Sequence, residues 1–430
     1  MSHTSDHHPQ PRSDEADAGA APTPAAREAN SRTRAVVMLA VVAAMTVYAV
    51  VTGSFAALAF VLALMASIMI HEAGHFVTAK WTGMKVTEFF LGFGPRLWST
   101  RRGETEYGVK AIPAGGYVRI TGMSSMEKGI DPAEEHRTYR QQSYPKKMLV
   151  AVAGIVTHFV MAFVILMLLW SVVGIPNPDR PTLEVGSISR LETGPSPAQD
   201  AGFRVGDRIV SIDGQPISAW NELPPYIRER PGRPITFQVE REGQLVTLTA
   251  TPATSNPDGE PVGFVGIGST PATERVNPVV AAGRSASDVG RITVASVQAI
   301  GQFFSPSSLR DYGDVLTGRG TGDELRPVSV VGVVRIADQA ADNGILDFLL
   351  LFVGLNIFFA VFNAVPLPPF DGGHIAIATY ERLRSRRGRR YEADGQKLIP
   401  LTVAVFVLMV TLGLTSVWLD IVDPLNNPFQ

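Results

Sequence analysis

The stretch FAALAFVLALMASIMIHEAGHF, residues 55–76, decides how this chain is read. Its first sixteen residues carry no charge, and it ends in His71-Glu72-Ala73-Gly74-His75, an H-E-x-x-H pattern. On a helix, residues four apart lie on one face. Two imidazoles so placed can hold one zinc ion from the same side, and the Glu between them can take a proton from the attacking water. In a soluble protein the pattern has false positives. Here it closes an apolar run, where three ionisable groups at membrane depth are costly and usually functional. The bland reading is a set of interfacial side chains at a helix end.

Around that stretch the chain is 430 residues long, 45% hydrophobic and only 18% charged, which is less charge than a soluble enzyme carries. Net charge is −2, so no global basic field points to nucleic acid. There is no cysteine, so any metal must sit on histidines and carboxylates. Residues 1–33 read as a disordered tail without apolar period, and its His3, His7 and His8 read as solvated. The late start of the first apolar run argues against a secretory signal.

Four apolar regions are long enough to enter a bilayer, which takes about 20 residues. The first, 34–83, holds two runs, Ala35–Val51 and Phe55–Ala79, split by Thr52-Gly53-Ser54. The others are 148–174, 345–374 with its apolar part ending at Val365, and 398–420. Five spans are expected. Arg27, Arg32 and Arg34 precede the first span. Lys146 and Lys147 close a basic segment at 84–147, and Arg382, Arg384, Arg386, Arg387, Arg389 and Arg390 crowd 375–397. Five spans with a cytoplasmic N-terminus put all three basic segments inside, as positive residues prefer. Four spans would force the first one outside.

A catalytic zinc typically takes three protein ligands and a water. Asn363-Ala364-Val365-Pro366-Leu367-Pro368-Pro369-Phe370-Asp371-Gly372-Gly373-His374 follows a span that ends on the same side as His71. Alone it reads as a helix-ending loop with an exposed Asp. Beside the H-E-x-x-H helix, Asp371 becomes a candidate third ligand, because irregular backbone at membrane depth is tolerated only against protein or a wet cavity.

With both motifs in view, the chain resembles the site-2 protease family of intramembrane zinc metalloproteases, in its bacterial, regulator-of-sigma-factor branch. The resemblance covers about residues 55–420 and rests on H-E-x-x-H in an apolar helix, N-x-x-P-x-P-x-x-D-G-G-H in a later one, and a PDZ-like module between them. It implies His71, His75 and Asp371 as Zn2+ ligands, Glu72 as general base and acid, and Asn363 as a contact for the substrate backbone. His374 would lie nearby without being a ligand. The implied substrate is a single-span membrane protein, such as an anti-sigma factor already clipped outside. The third span departs from the family, which often carries Gly-Pro and then Asn there. This chain has Gly154-Ile155 and His158, read as an interhelical hydrogen-bonding group.

The expected fold is therefore a polytopic α-helical membrane protein of about five spans, with a membrane-associated β-hairpin element and one extracytoplasmic PDZ-like α+β domain. Lys85–Gly122 alternates apolar and polar residues between turns and reads as hairpins. In the family such an element offers an edge strand to an extended substrate. Residues 182–270 carry the Gly206-Asp207 turn and alternating strands of the PDZ-like module, expected to screen substrates. A connector at 271–344 includes an expected amphipathic helix at Val289–Phe304 and an apolar loop at Pro327–Gly332. The protein is expected in the cell (inner) membrane. Rival readings are a membrane zincin of another clan, with a Glu as third ligand, a non-catalytic receptor built on the PDZ-like module, and a transporter, for which no repeated halves are visible.

Overall fold

A computed structural model describes residues 54–124, 127, 129–189, 195–255, 262–320, 326–385 and 391–423. The expected tail 1–33, the expected span Ala35–Val51 and the basic residues Arg386, Arg387, Arg389 and Arg390 lie outside the described residues.

Helix α1 (Phe55–Trp81) is apolar on all faces as far as Ile70 and ends just before Gly83, whose φ of +81° favours glycine. Two long strands follow, β1 (Val86–Arg102) and β2 (Thr105–Ile120). Each bends back, so that Phe90 pairs with both Tyr117 and Gly108, while Gly108 also pairs with Ser99. The result is a curled antiparallel sheet in which residues 116–120 form an outer edge. Gly92 and Gly94, at φ +87° and +81°, permit the bend.

Helix α2 (Tyr144–Val172) packs against α1 through bare backbone: a Cβ on Gly74 would lie 2.9 Å from the Ala153 carbonyl oxygen. Such close approach of small residues is how helices associate without a hydrophobic drive. The chain then enters a β-rich domain. It contains β3 (Ile175–Ile188), α3 (Pro197–Asp200), β4 (Arg208–Ile212), β5 (Gln215–Pro216), α4 (Leu223–Arg228), β6 (Ile235–Arg241), β7 (Gln244–Ala250), β8 (Ala253–Ser255), β9 (Val262–Phe264) and β10 (Ile267–Glu274). The main sheet runs β10-β3-β4-β6-β7, all antiparallel, with β5 beside β4. Its core holds Val185, Ile209, Phe237 and Leu223. The buried Asp207 carboxylate accepts two bonds from Arg241, at 2.7 and 2.8 Å, and one from the Arg204 backbone, which fixes the Gly206-Asp207 turn.

Residues 271–344 are mostly helical. The amphipathic helix expected from Val289 starts earlier, as α5 (Pro278–Phe303), because the Asn277 side chain caps the Val279 and Val280 amides ahead of it. Helix α6 (Pro306–Leu316) follows. The expected loop Pro327–Gly332 is corrected at its end: Ser329 caps α7 (Val330–Asn343), so Val330–Gly332 are helical. Helix α8 (Ile345–Asn363) packs its Val353 and Ile357 against Leu166 and Trp170 of α2. A turn-rich loop leads to α9 (Asp371–Arg384), and α10 (Ile399–Val422) ends the described chain. Among the described residues, four helices are long and apolar enough to cross a membrane: α1, α2, α8 and the segment Gly395–Val422. The chain is a membrane protein with a β-rich domain between its second and third such helices.

Candidate metal centre

Three ligating atoms converge where α1, α2 and α9 meet. Nε2 of His71 and Nε2 of His75 are 3.2 Å apart, and Oδ2 of Asp371 lies 3.3 Å and 3.2 Å from them. The two histidines come from successive turns of α1, and Asp371 is the first residue of α9. The Asp is brought in by a loop that presses against its own helix. A Cβ on Gly372 would lie 2.2 Å from the Val365 carbonyl oxygen, and one on Gly373 would lie 2.6 Å from the Pro368 nitrogen. Only glycine fits there.

The triangle suits a tetrahedral ion. Bonds of about 2.0–2.1 Å at tetrahedral angles separate ligand atoms by about 3.3–3.4 Å. His75 is oriented for that role, since its Nδ1 donates to the Val150 carbonyl oxygen at 2.7 Å, which leaves the Nε2 lone pair facing Asp371. Oδ2 of Asp371 is buried and makes no hydrogen bond, and neither does Nδ1 of His71. A buried carboxylate oxygen left so, against two imidazole nitrogens, is a costly arrangement that a cation would complete. These residues form the metal-capable group among the described residues.

The floor of the site is bare backbone. A Cβ on Gly154 of α2 would lie 2.3 Å from His75 Nε2 and 2.7 Å from His71 Nε2. Glu72, half-buried, lies between the three residues and the curled sheet, close enough to His71, His75 and Asp371 to interact with them electrostatically. Its Oε2 accepts a hydrogen bond from the Val118 backbone N–H at 3.0 Å, on the outer edge of β2. Beyond that edge lies a cavity of about 900 Å³, lined by Arg119, Ile120, Tyr139, Lys147 and His374 among others. His374 stacks edge-on to Tyr139 at 6.1 Å and stands outside the metal-capable group. Asn363 ends α8, half-buried, and makes no side-chain hydrogen bond among the described residues.

Sequence reasoning missed several contributors. Val118 acts through its backbone, which no side-chain pattern reports. Ser67 and Asn356 join His158 in a buried cluster beside His71, and Ser67 lies one turn before His71 on the same face, a spacing that could have been read. Interhelical bonding by His158, expected from the sequence, is present: its Nδ1 lies 3.0 Å from Asn356 Oδ1.

Comparison with known proteins shows the family to which the chain belongs. The model of peptidase family M50 matches residues 59–410. The zinc metalloprotease Rip1 of Mycobacterium tuberculosis H37Rv is 37% identical over 85% of this chain and 97% of its own length. Rip1 of Mycobacterium bovis BCG gives the same figures, 37%, 85% and 97%. Rip1 of Mycolicibacterium smegmatis is 34% identical over 85% of this chain and 97% of its own.

Proposed function

This chain belongs to peptidase family M50, the site-2 protease family, and from its membership as a zinc metalloprotease we propose that it hydrolyses peptide bonds of single-span membrane proteins inside the membrane. The observation that carries this reading is the 3.2–3.3 Å triangle of His71, His75 and Asp371 set among apolar helices. These three residues hold Zn2+, which when bound acidifies water and polarises a peptide carbonyl.

The chain's own residues do the rest. Glu72 takes a proton from the attacking water as the oxygen–carbon bond forms, and returns it to the leaving amine as the carbon–nitrogen bond breaks. The Val118 N–H holds the Glu72 carboxylate in place during both transfers. The outer edge of residues 116–120, beside the Val118 N–H that holds Glu72, accepts the substrate as an added strand, which supplies main-chain hydrogen bonds without demanding one sequence. A helical substrate must unwind first, since its peptide groups are otherwise shielded. Asn363, at the rim where α8 ends, binds the same substrate backbone.

The β-rich domain is PDZ-like, by its Gly206-Asp207 turn, its short helices and its antiparallel sheet. It sits outside the cell membrane and screens what enters, with the metal centre toward the cytoplasmic face. Segments 84–147 and 375–397 carry the positive charge that favours this orientation. The substrate class is a membrane protein already trimmed outside, such as an anti-sigma factor.

The test compares membranes holding wild-type enzyme with membranes holding Glu72→Gln. A trapped single-span fragment should accumulate only with the variant, and purified Glu72→Gln should bind zinc while failing to cleave that fragment in liposomes. Cleavage by the variant at the wild-type rate would overturn the assignment.

A further inference from the structure

Behind the metal centre lies a polar joint that the mechanism does not use. Ser67 of α1, His158 of α2 and Asn356 of α8 are 0%, 2% and 0% exposed, at the depth of three apolar helices. Polar groups in that setting are retained only when they satisfy one another. Here they do. Asn356 Nδ2 donates to the Phe352 carbonyl at 2.8 Å, which turns Oδ1 toward the other two residues as an acceptor. The Ser67 hydroxyl donates to that oxygen, and His158 Nδ1 stands 3.0 Å from it. An acceptor at that distance requires the proton on Nδ1, and the Ser67 oxygen at 3.3 Å accepts a second share of it.

The joint meets the metal centre at one point. The His158 ring lies against the His71 ring, with centroids 4.9 Å apart and planes inclined by 41°. The two histidines of the motif are held in different ways. His75 is fixed by its Nδ1 bond to Val150, whereas His71 Nδ1 makes no hydrogen bond among the described residues. A metal-ligating imidazole normally has its outer nitrogen held, and that outer contact sets the ring's orientation. For His71, packing replaces the bond.

We propose that His158, anchored by Asn356 and Ser67, is a positioning residue for His71. This rests on the metal role proposed for His71. It extends to the third ligand, because Asn356 belongs to the helix whose end leads to Asp371, and Ser67 to the helix that carries both histidines. One buried joint thus fixes the ring of one ligand and the spacing of the helices that deliver all three.

The experiment uses the purified full-length protein in detergent and reads zinc affinity by competition with a chelator, together with the thermal midpoint of the metal-free form. His158→Leu and Asn356→Leu should each lower zinc affinity about 10–100-fold, the usual effect of losing such an outer contact. The double variant should lose no more than either single one, as expected of groups acting as a unit. His158→Phe, which restores a ring against His71, should recover most of the affinity lost in His158→Leu. Zinc affinity within twofold of wild type in His158→Leu, with only a lowered metal-free midpoint, would mark the joint as structural and overturn the proposal. Additive losses would overturn the anchoring by Asn356. If His71→Ala leaves zinc affinity unchanged, the metal reading itself fails, a result separate from these.

Discussion

Oε2 of Glu72 and the backbone nitrogen of Val118 are 3.0 Å apart, a hydrogen bond that ties the carboxylate between the two histidines to the edge of the curled sheet. In the proposed mechanism the strand edge both receives substrate and orients Glu72 as general base. Proline lacks the donor but is tolerated on an outer edge, where the lost N–H belongs to no ladder. Val118→Pro should slow cleavage by about 10–100-fold, the range for loss of an orienting contact, while zinc content stays at the wild-type level. Measured turnover of a reconstituted substrate, with metal analysis of the same sample, decides it. Unchanged turnover would mean that Glu72 is oriented by something else.

Gly154 makes a sharper prediction. A methyl group there would sit 2.3 Å from His75 Nε2 and 2.7 Å from His71 Nε2, the atoms proposed to bind zinc, which have little room to yield. Overpacking a tight site costs about 1–3 kcal/mol. Gly154→Ala should therefore lose zinc and activity together. Gly354→Ala on α8 is the control, since its Cβ would meet nothing within 4 Å, and alanine gains up to about 1 kcal/mol of helix propensity. Equal zinc binding in both variants would contradict the close packing of α2 on the ligands.

Some of this was legible in the sequence, and the boundary has a physical basis. The four-residue spacing of His71 and His75 is local, and helical periodicity alone puts their rings on one face, where their Nε2 atoms stand 3.2 Å apart. Asp371 became a candidate only through the expected side of its span and its broken backbone, and the resemblance then implied its role, since no local rule links residues so far apart in sequence. Val118 contributes a backbone group, and the doubled pairing of Phe90 depends on bends that alternation cannot reveal. Asn277-Pro278 and Ser329 are different cases. Both are helix-start signals that were present and were outweighed by the mixed period of residues 275–344.

The cavity beside the edge strand contains a buried ion pair that holds α9 to α2. Lys147 Nζ lies 2.7 Å from Glu381 Oε2, with side chains 6% and 15% exposed, and the ammonium also sits 5.6 Å from the Tyr139 ring centre. Removing one member leaves a buried charge unmatched, at a cost of about 3–5 kcal/mol, whereas replacing both with apolar residues is close to neutral. Glu381→Ala should lower the thermal midpoint in detergent well below that of Lys147→Met with Glu381→Leu. It should also weaken zinc binding, because Asp371 heads the same helix. A double variant as unstable as the single one would show that the pair contributes attraction of its own.

A last prediction concerns pH. Glu104, at the turn between β1 and β2, accepts two bonds from the Arg137 guanidinium at 2.7 and 2.8 Å and one from Lys80 at 2.6 Å. The Arg137 bonds, then Lys80, hold its carboxyl down from 4.5 to about 2. With the folded value below the unfolded one, the unfolded chain binds the proton more readily. The stabilisation is therefore complete above pH 4.5 and is lost as pH falls toward about 2. Glu104→Gln should melt lower than wild type near neutrality, and the gap should narrow steadily across that acid window. The group is partly exposed, so salt should shrink the gap as well. A constant difference from pH 6 down to about pH 2.5 would mean that the contact works by shape rather than by charge, and that the sheet is pinned to the end of α1 by something other than this carboxylate.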